Sequence, residues 1–240
     1  MGRHESLIAR ALASYGGDTS GVLVGTKGGA ARGAGGAWLS DGDPAILRES
    51  CEGSLKRLGV DAIGLYQLHV PDPNVPYAES VGAMGELSDT GKIRAIGISN
   101  VNSDQLREAH GILGEQLASV QNNFSPATRE SEPQLCLCDE LGIAFLPYSP
   151  LGGISRAGAL GSAHAAFASI SEARGVSPQQ VCLSWELAKS PVVVPIPGSS
   201  RPSTIEDSAA AADLALTAAE LCEVDADQPG PSRRTSHQHA

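Results

Sequence analysis

Two neighbouring apolar runs of this chain each end in polar side chains that are candidates for catalysis or binding. One run closes in LYQLH with His69, and the next closes in IGISN with Ser99 and Asn100. Between them, residues 78–87 carry apolar or small side chains at the period of a helical turn, so residues 61–100 predict a strand–helix–strand unit. The carboxyl ends of buried parallel strands are where α/β folds place their chemistry. We therefore expect these three side chains at one edge of a sheet.

Length and composition favour a single domain and disfavour several classes of partner. The 240 residues, 41% of them hydrophobic, fit one barrel-sized domain with a real core. A net charge of −10 argues against nucleic acid and against an anionic membrane surface as partners. No apolar stretch approaches the roughly 20 residues that span a bilayer, and no signal peptide opens the chain. The sequence thus predicts a cytoplasmic protein with no membrane partner.

The five cysteines do not predict a metal site or a disulfide framework. Cys136 and Cys138 lack the spacing of a zinc or redox pair, and no second cluster follows them. We predict that the cysteines are buried small hydrophobes and that the protein binds no metal.

Several motifs in order carry a resemblance to a known family. Residues 65–100, LYQLHVPDPNVPYAESVGAMGELSDTGKIRAIGISN, closely resemble the aldo-keto reductases, NADPH-dependent carbonyl reductases on a (β/α)8 barrel. The resemblance continues in SVQNNFSP (Ser119–Pro126), ELGIAFLPYSPLGG (Glu140–Gly153) and VPIPGSSRPSTIED (Val194–Asp207). It implies an α/β fold of the TIM type over residues 1–224, followed by a disordered polar tail, residues 225–240.

The alternation of elements predicts fewer strands than a closed barrel contains. Six strands are expected, near residues 21, 63, 93, 118, 143 and 192, with a loop over the glycine-rich residues 28–36. A closed eight-stranded barrel needs two more. Since the chain opens with a helix, we expect the first two strands and the first helix of the barrel to be missing.

The resemblance implies that part of the catalytic set precedes these residues. Met1–Ile8 match the end of the family's tyrosine motif and the start of the helix that follows it, so the catalytic Tyr and its nearby Asp would fall before Met1. One hypothesis is therefore a true start upstream of Met1, and the alternative hypothesis takes the chain as complete. Tyr15 and Tyr66 do not replace the missing acid, because one lies at a helix end and the other inside a strand; Tyr77 is left open.

Two members of the family's catalytic tetrad match this sequence. Lys27 would lower the pKa of the phenol through its positive charge, and His69 would donate a hydrogen bond to a carbonyl oxygen. Alone, His69 would more often be structural and Lys27 a solvated charge. Without the tyrosine, no general acid is left in the set to protonate a developing alkoxide.

The resemblance also implies an NADP(H) site. Ser99, Asn100 and Gln121 would hold the nicotinamide carboxamide, and Tyr148 would stack on the nicotinamide ring. Ser149, Leu151 and Gly152 match the residues that bind the pyrophosphate. Gly198, Ser199 and Arg201 match those that bind the 2′-phosphate. Glu206 and Asp207 match those that hold the adenine.

Three functions are consistent with a matched cofactor site and an incomplete catalytic set. The first is NADPH-dependent reduction of a small aldehyde or ketone to an alcohol by hydride transfer. The second is NADP(H) binding without reduction, or non-redox chemistry such as dehydration or cyclisation; open strand edges would then favour association, including a homo-oligomer. The third is a regulatory subunit similar to the channel β-subunits related to this family.

Overall fold

The computed structural model describes residues 2–33, 38–153 and 155–227, and of Arg32 and Trp38 the backbone alone. These residues form two compact units. The first contains the chain up to Asn122 together with Cys136–Phe145, and the second contains Asn123–Leu135 and the chain from Leu146 onwards. Most of the predicted tail, residues 228–240, lies outside the described residues.

The first unit is built on a parallel sheet. Its elements are α1 (Arg3–Ser14), β1 (Gly25–Gly28), β2 (Ala30–Arg32), β3 (Trp38–Ser40), α2 (Pro44–Leu58), β4 (Leu65–Leu68), α3 (Tyr77–Asp89), β5 (Ile96–Ser99), α4 (Ser103–Leu113), β6 (Leu117–Gln121) and β7 (Ala144–Phe145). A 3-10 turn over residues 114–116 precedes β6. Five strands pair in parallel in the order β1-β4-β5-β6-β7, while β2 and β3 form a separate antiparallel pair.

The second unit is helical. After α5 (Glu132–Leu141), which runs from residues of this unit into residues of the first, its elements are α6 (Leu160–Ala163), α7 (Ala165–Arg174), α8 (Pro178–Leu187), α9 (Pro202–Ala209) and α10 (Ala218–Ala226), with 3-10 turns over residues 157–159 and 210–213. None of the helices in the described ranges is both long and apolar enough to cross a membrane.

Two of the strand predictions differ from the structure. The glycine-rich residues 28–36 were predicted as a loop, but Ala30–Arg32 pair with Trp38–Ser40, because backbone pairing does not require bulky side chains. The strand predicted near residue 192 does not form. Pro195 and Pro197 lack the N–H that a ladder needs, and the hydrogen bond from Ile196 N to Pro147 O, 3.3 Å long, does not extend into a strand.

The helix ends show which signals in the sequence act locally. Asp43 caps α2: its carboxylate accepts hydrogen bonds from the backbone N–H groups of Ala45 and Ile46, while Gly59 ends the helix with a φ of 70°. For α4 the cap is Asn102, the residue before Ser103. Asn102 forms a capping box with Gln105, which satisfies two backbone donors at once.

A buried charge attaches α1 to the rest of the first unit. Glu5 is the one buried residue of this helix, whereas Leu7 and Ile8 are exposed. The Glu5 carboxylate accepts hydrogen bonds from Thr26 Oγ1 at 2.7 Å and from Arg57 Nε at 2.5 Å. Burial raises the pKa of Glu5, but the hydrogen bonds, chiefly from Arg57, outweigh it, and the pKa lies below its usual value.

The second unit is held by the carboxylates of α10. Asp225 accepts hydrogen bonds from Trp185 Nε1 at 2.9 Å and Lys189 Nζ at 2.6 Å, and Asp227 accepts one from Ala166 N at the start of α7. Glu220 binds Arg174, at the other end of α7, through two hydrogen bonds. The helices α7 and α10 therefore run antiparallel. Asp225, the first residue of the predicted tail, lies inside α10 and anchors it, and the domain boundary after residue 224 stays a prediction.

Helix α8 also contains a buried acid without a hydrogen-bond partner. Glu186 is 0% exposed, and neither carboxylate oxygen has a partner among the described residues. Its near neighbour on the helix is the buried thiol of Cys182. Because burial disfavours the charged form, the pKa of Glu186 lies well above its usual value.

We predict that Glu5→Gln destabilises the first unit. The amide removes the charge that Arg57 requires, and the expected loss in the free energy of unfolding is about 1–3 kcal/mol at neutral pH. Because the pKa of Glu5 is lowered on folding, the contribution is present at neutral pH and is lost as the pH falls through the folded pKa. Chemical denaturation between neutral and acidic pH should show the wild type and Glu5→Gln converging at low pH.

The matched control is Glu86→Gln. Glu86 pairs with Arg48 on the surface, where both side chains are largely exposed, so the expected change is below about 0.5 kcal/mol. Equal losses for Glu5→Gln and Glu86→Gln would contradict the role of the buried pair.

We predict the opposite pH dependence for Glu186. Above the usual carboxyl pKa of 4.5 the unfolded chain ionises while the folded protein keeps the proton. The free energy of unfolding should fall by up to about 1.4 kcal/mol per pH unit until the folded group ionises. Glu186→Gln should remove this slope, measured by urea unfolding between acidic and mildly alkaline pH. Glu223→Gln, an exposed acid on α10, should leave the slope in place; an unchanged slope in Glu186→Gln would refute the assignment.

Candidate active site

Two rows of residues cross the sheet of the first unit, and the predicted catalytic residues Lys27 and His69 lie one in each row. Lys27 pairs in register with Gln67, Gln67 with Gly97, and Gly97 with Ser119. Two residues further along the strands, Ser99 pairs with Gln121, and His69 follows the end of β4 with its N–H bonded to Gly28 O at 2.8 Å. Alternate residues of a strand face the same way, so these side chains share one face of the sheet.

The opposite face of the sheet is apolar and packs under helices. Tyr66, Leu68, Ile96, Ile98 and Val120 are all 0% exposed. This corrects the expectation that the strands are continuously apolar on both faces. The strands alternate instead, with polar residues on the face that carries His69.

Burial and a neighbouring charge tune the two predicted catalytic groups. Burial lowers the pKa of His69, and the positive charge of Lys27 lowers it further. Burial likewise lowers the pKa of the Lys27 ammonium. His69 is therefore neutral at neutral pH, and a neutral imidazole can still donate one hydrogen bond. The pair can thus bind a carbonyl oxygen and place a positive charge near it.

Ser99 and Asn100 are held by hydrogen bonds to the neighbouring strands. Ser99 Oγ donates to Gln121 O at 2.6 Å, and Asn100 Nδ2 donates to His69 O at 2.9 Å. Asn100 N also donates to Gln121 O. These bonds bring the ends of β4, β5 and β6 together, so His69, Ser99, Asn100 and Gln121 form one cluster.

Backbone strain marks two of the predicted cofactor residues. Within the described ranges, Asn100 (φ 58°) and Ser149 (φ 54°) are the two residues other than glycine with a left-handed backbone. This conformation costs free energy for residues with a side chain and clusters at functional sites. The sequence alone did not predict a left-handed backbone at either residue.

The residues predicted for the pyrophosphate form a tight turn in the second unit. Tyr148 is half-buried and its backbone bridges Asn123. Gly152 N donates to Ser149 O at 2.8 Å, and Gly152 has a φ of 79°, which favours glycine. Leu151 is buried beside this turn. Short turns of this kind, with small residues and little side-chain cover, allow a phosphate to approach the backbone.

The residues predicted for the 2′-phosphate lie at the start of α9. Ser199 Oγ accepts from Arg201 N and donates to Arg201 O, so the loop turns sharply before Pro202. Gly198, Ser199 and Arg201 are exposed, and no side chain caps the first turn of α9. Exposed backbone N–H groups at a helix start, next to a guanidinium, fit an anion.

The adenine residues fit less well. Glu206 is exposed on α9. Asp207 accepts hydrogen bonds from Ser177 Oγ at 2.7 Å and Gln180 Nε2 at 2.8 Å, which tie α9 to the start of α8. Asp207 therefore has a structural role that the sequence did not indicate.

Three of the described tyrosines, Tyr66, Tyr77 and Tyr148, do not fit the role of a general acid. The hydroxyls of Tyr66 and Tyr77 are buried without a hydrogen-bond partner among the described residues. Burial raises the pKa of both phenols, and nearby acids, Glu5 for Tyr66 and Glu108 for Tyr77, raise it further. Burial also raises the pKa of Tyr148. An acid catalyst needs a pKa near the working pH, so the structure argues against Tyr77.

Gln67 and Ser119 belong to the polar face and were missed from the sequence. The alternation of polar or small residues at 67 and 69, 97 and 99, and 119 and 121 was the signal that would have found them.

Other features of the chain lie away from this polar face. A cavity of about 630 Å³ at the opposite, amino end of β1 and β4 contains none of the predicted residues. The described residues contain no cluster of side chains able to hold a metal ion, and Cys136 and Cys222 are exposed rather than buried.

Comparisons with known proteins agree with this arrangement. The model of the aldo/keto reductase family matches residues 1–227. An uncharacterized oxidoreductase of Schizosaccharomyces pombe is 35% identical over 92% of this chain and 69% of its own length. A probable aldo-keto reductase of Glycine max is 33% identical over 77% of this chain and 60% of its own length. The chain thus spans about two thirds of the curated relatives it matches.

Solved structures show the same fold. An aldo-keto reductase from Klebsiella pneumoniae in complex with NADPH matches with a TM-score of 0.79 at 27% identity, over 100% of this chain and 80% of that one. A glycerol dehydrogenase from Gluconobacter oxydans matches with a TM-score of 0.81 at 25% identity, over 100% and 81%. These likenesses confirm the predicted TIM-type fold class. The chain belongs to the aldo/keto reductase family of oxidoreductases.

Proposed function

We propose that this protein binds NADP(H) and reduces a small aldehyde or ketone to an alcohol. The observation that carries the proposal is the cluster at the carboxyl ends of β1, β4, β5 and β6, in which Asn100 bonds the end of β4 and Ser99 bonds the end of β6. Two relatives in the comparison, both from Klebsiella pneumoniae, were solved with NADP or NADPH.

Each unit contains residues with the chemistry to bind part of the cofactor. On Gln121, Nε2 donates to Gln67 Oε1 at 3.0 Å, which leaves Oε1 to accept from a carboxamide. Ser99 and Asn100 would hold the same carboxamide, and Tyr148 would orient the ring. The turn at Ser149–Gly152 would take the pyrophosphate, and Gly198, Ser199 and Arg201 would take the 2′-phosphate, with Glu206 beside the adenine. When bound, NADPH would supply the hydride.

The chain's own groups would act on the carbonyl. His69, neutral because its pKa is lowered, would donate a hydrogen bond to the carbonyl oxygen. Lys27 would stabilise negative charge that develops on that oxygen. Tyr66, Tyr77 and Tyr148, whose pKa values are raised, would not deliver the proton.

The raised pKa values of these three tyrosines favour a second function. A protein with the cofactor residues but without an activated phenol would bind NADP(H) and not turn over. The two functions separate in one assay series, in which NADPH binding is followed by fluorescence and NADPH consumption is followed with a panel of aldehydes and ketones. Consumption supports reduction; binding without consumption supports the second function; absence of binding refutes both.

We predict that Arg201→Ala weakens NADPH much more than NADH. Loss of a charge-assisted bond to the 2′-phosphate should raise the Kd for NADPH roughly 10- to 100-fold, while the Kd for NADH, which has no such phosphate, should stay within about threefold. Titration calorimetry with both cofactors measures the ratio. Arg94→Ala, which removes an exposed guanidinium outside the proposed site, should change neither Kd. Equal weakening of both cofactors would contradict the assignment.

If the chain reduces carbonyls, His69→Leu should lower kcat by at least about 100-fold. Binding of NADPH should stay within about threefold, because Asn100 bonds the backbone oxygen of residue 69 and that bond survives the substitution. The control is His110→Gln, on helix α4, which should keep full activity. A His69→Leu enzyme with normal kcat would remove His69 from the catalytic set.

A further inference from the structure

A buried hydrogen-bond network lies directly beneath Gln121. Gln67 on β4, Ser119 on β6 and Gln121 are 3%, 3% and 6% exposed. Gln121 Nε2 donates to Gln67 Oε1 at 3.0 Å, and Gln67 Nε2 donates to Ser119 Oγ at 3.2 Å. The amide of Gln67 therefore reaches across β5 to contact two residues of β6.

Gly97 makes this crossing possible. A Cβ at this position would lie 2.6 Å from Gln67 Cγ and 2.5 Å from Ser119 Oγ. Contacts this short do not occur between real side chains, so the glycine leaves the space through which Gln67 passes. The register of the strands is consistent with this path, because Gln67 pairs with Gly97 and Gly97 pairs with Ser119. The arrangement is therefore built by the sheet and is not an accident of one flexible side chain.

In this network the nitrogen end of the Gln121 amide faces Gln67 and its oxygen end faces away. An amide has one acceptor oxygen and one donor nitrogen. Since Nε2 of Gln121 is engaged by Gln67 Oε1, the acceptor Oε1 of Gln121 is the end left for a ligand. This acceptor is satisfied by a ligand that donates a hydrogen bond, and a ligand that can only accept leaves it unpaired at a cost.

We propose that Gln67 is a positioning residue that sets the orientation of the Gln121 amide. Through it, the site selects a ring substituent that donates a hydrogen bond, such as a carboxamide, over one that only accepts, such as an acetyl group. This inference rests on the proposed NADP(H) site and extends it to a residue that does not touch the cofactor.

The test compares the binding of NADPH with that of reduced 3-acetylpyridine adenine dinucleotide phosphate, in which an acetyl group replaces the carboxamide. The wild type should bind NADPH about tenfold more tightly, the effect of about one hydrogen bond. Gln67→Met keeps the shape of the side chain but frees Gln121 to rotate, so the preference should fall below about threefold. Calorimetry gives all four Kd values.

Gln67→Glu is the conservative variant. A carboxylate can only accept, so it should still accept from Gln121 Nε2, while the Ser119 hydroxyl turns to donate to it. The preference for NADPH should return to at least the wild-type ratio. A purely structural role for Gln67 would instead weaken both ligands equally in Gln67→Met and leave their ratio unchanged, and that result would overturn the inference.

A second measurement, hydrogen exchange of the Gln121 side-chain amide, needs no cofactor. It therefore tests the inference even if the protein does not bind NADPH. In the free wild-type protein, the side-chain NH2 protons of Gln121 should exchange slowly with solvent, because one is bonded to Gln67, and this protection should be lost in Gln67→Met. Fast exchange in the wild type would overturn the inference. Slow exchange together with no NADPH binding would support the Gln67–Gln121 contact while refuting the proposed function, so the two failures are distinguishable.

Discussion

The pleat of the five-stranded sheet is the constraint on which the candidate site depends. Side chains alternate between the two faces of every strand, so each strand that offers a polar residue to one face must offer an apolar residue to the other. Tyr66 and Leu68 pack beneath helices while Gln67 and His69 take the other face. Because the strands are parallel and in register, polar positions of consecutive strands become neighbours although roughly thirty residues of chain separate β4 from β5. The active-site cluster is a consequence of packing the opposite face.

Much of this was predictable from the sequence, and the failures have physical causes. Local signals succeeded: Asp43 caps α2, and the residues that close LYQLH and IGISN meet at one edge. Signals that depend on distant partners failed. Residues near 192 are apolar enough for a strand, yet their prolines cannot complete a ladder. In α1 the apolar pattern predicts a buried face, but the structure buries Glu5, whose partner Arg57 lies 52 residues away.

The candidate site was predictable in part for the same reason. Residues that match family motifs could be named one by one, and the first unit brings His69, Ser99, Asn100 and Gln121 together. Gln67 was missed because its role follows from register: only the pairing with Gly97 shows that its amide reaches β6. Asp207 was assigned to the adenine because the motif places it there, whereas its carboxylate bonds two side chains at the start of α8. A sequence motif indicates where a residue lies in the fold, but it does not show which side chains that residue bonds.

The left-handed backbone of Asn100 and Ser149 has a consequence for how such a chain can change under selection. Glycine would adopt either conformation without strain, so a library screened for thermal stability alone should enrich glycine at residue 149. At residue 100, glycine would also delete the amide that bonds the end of β4. At residue 100 the strain that glycine would relieve is therefore offset by the loss of a hydrogen bond that the Asn side chain makes.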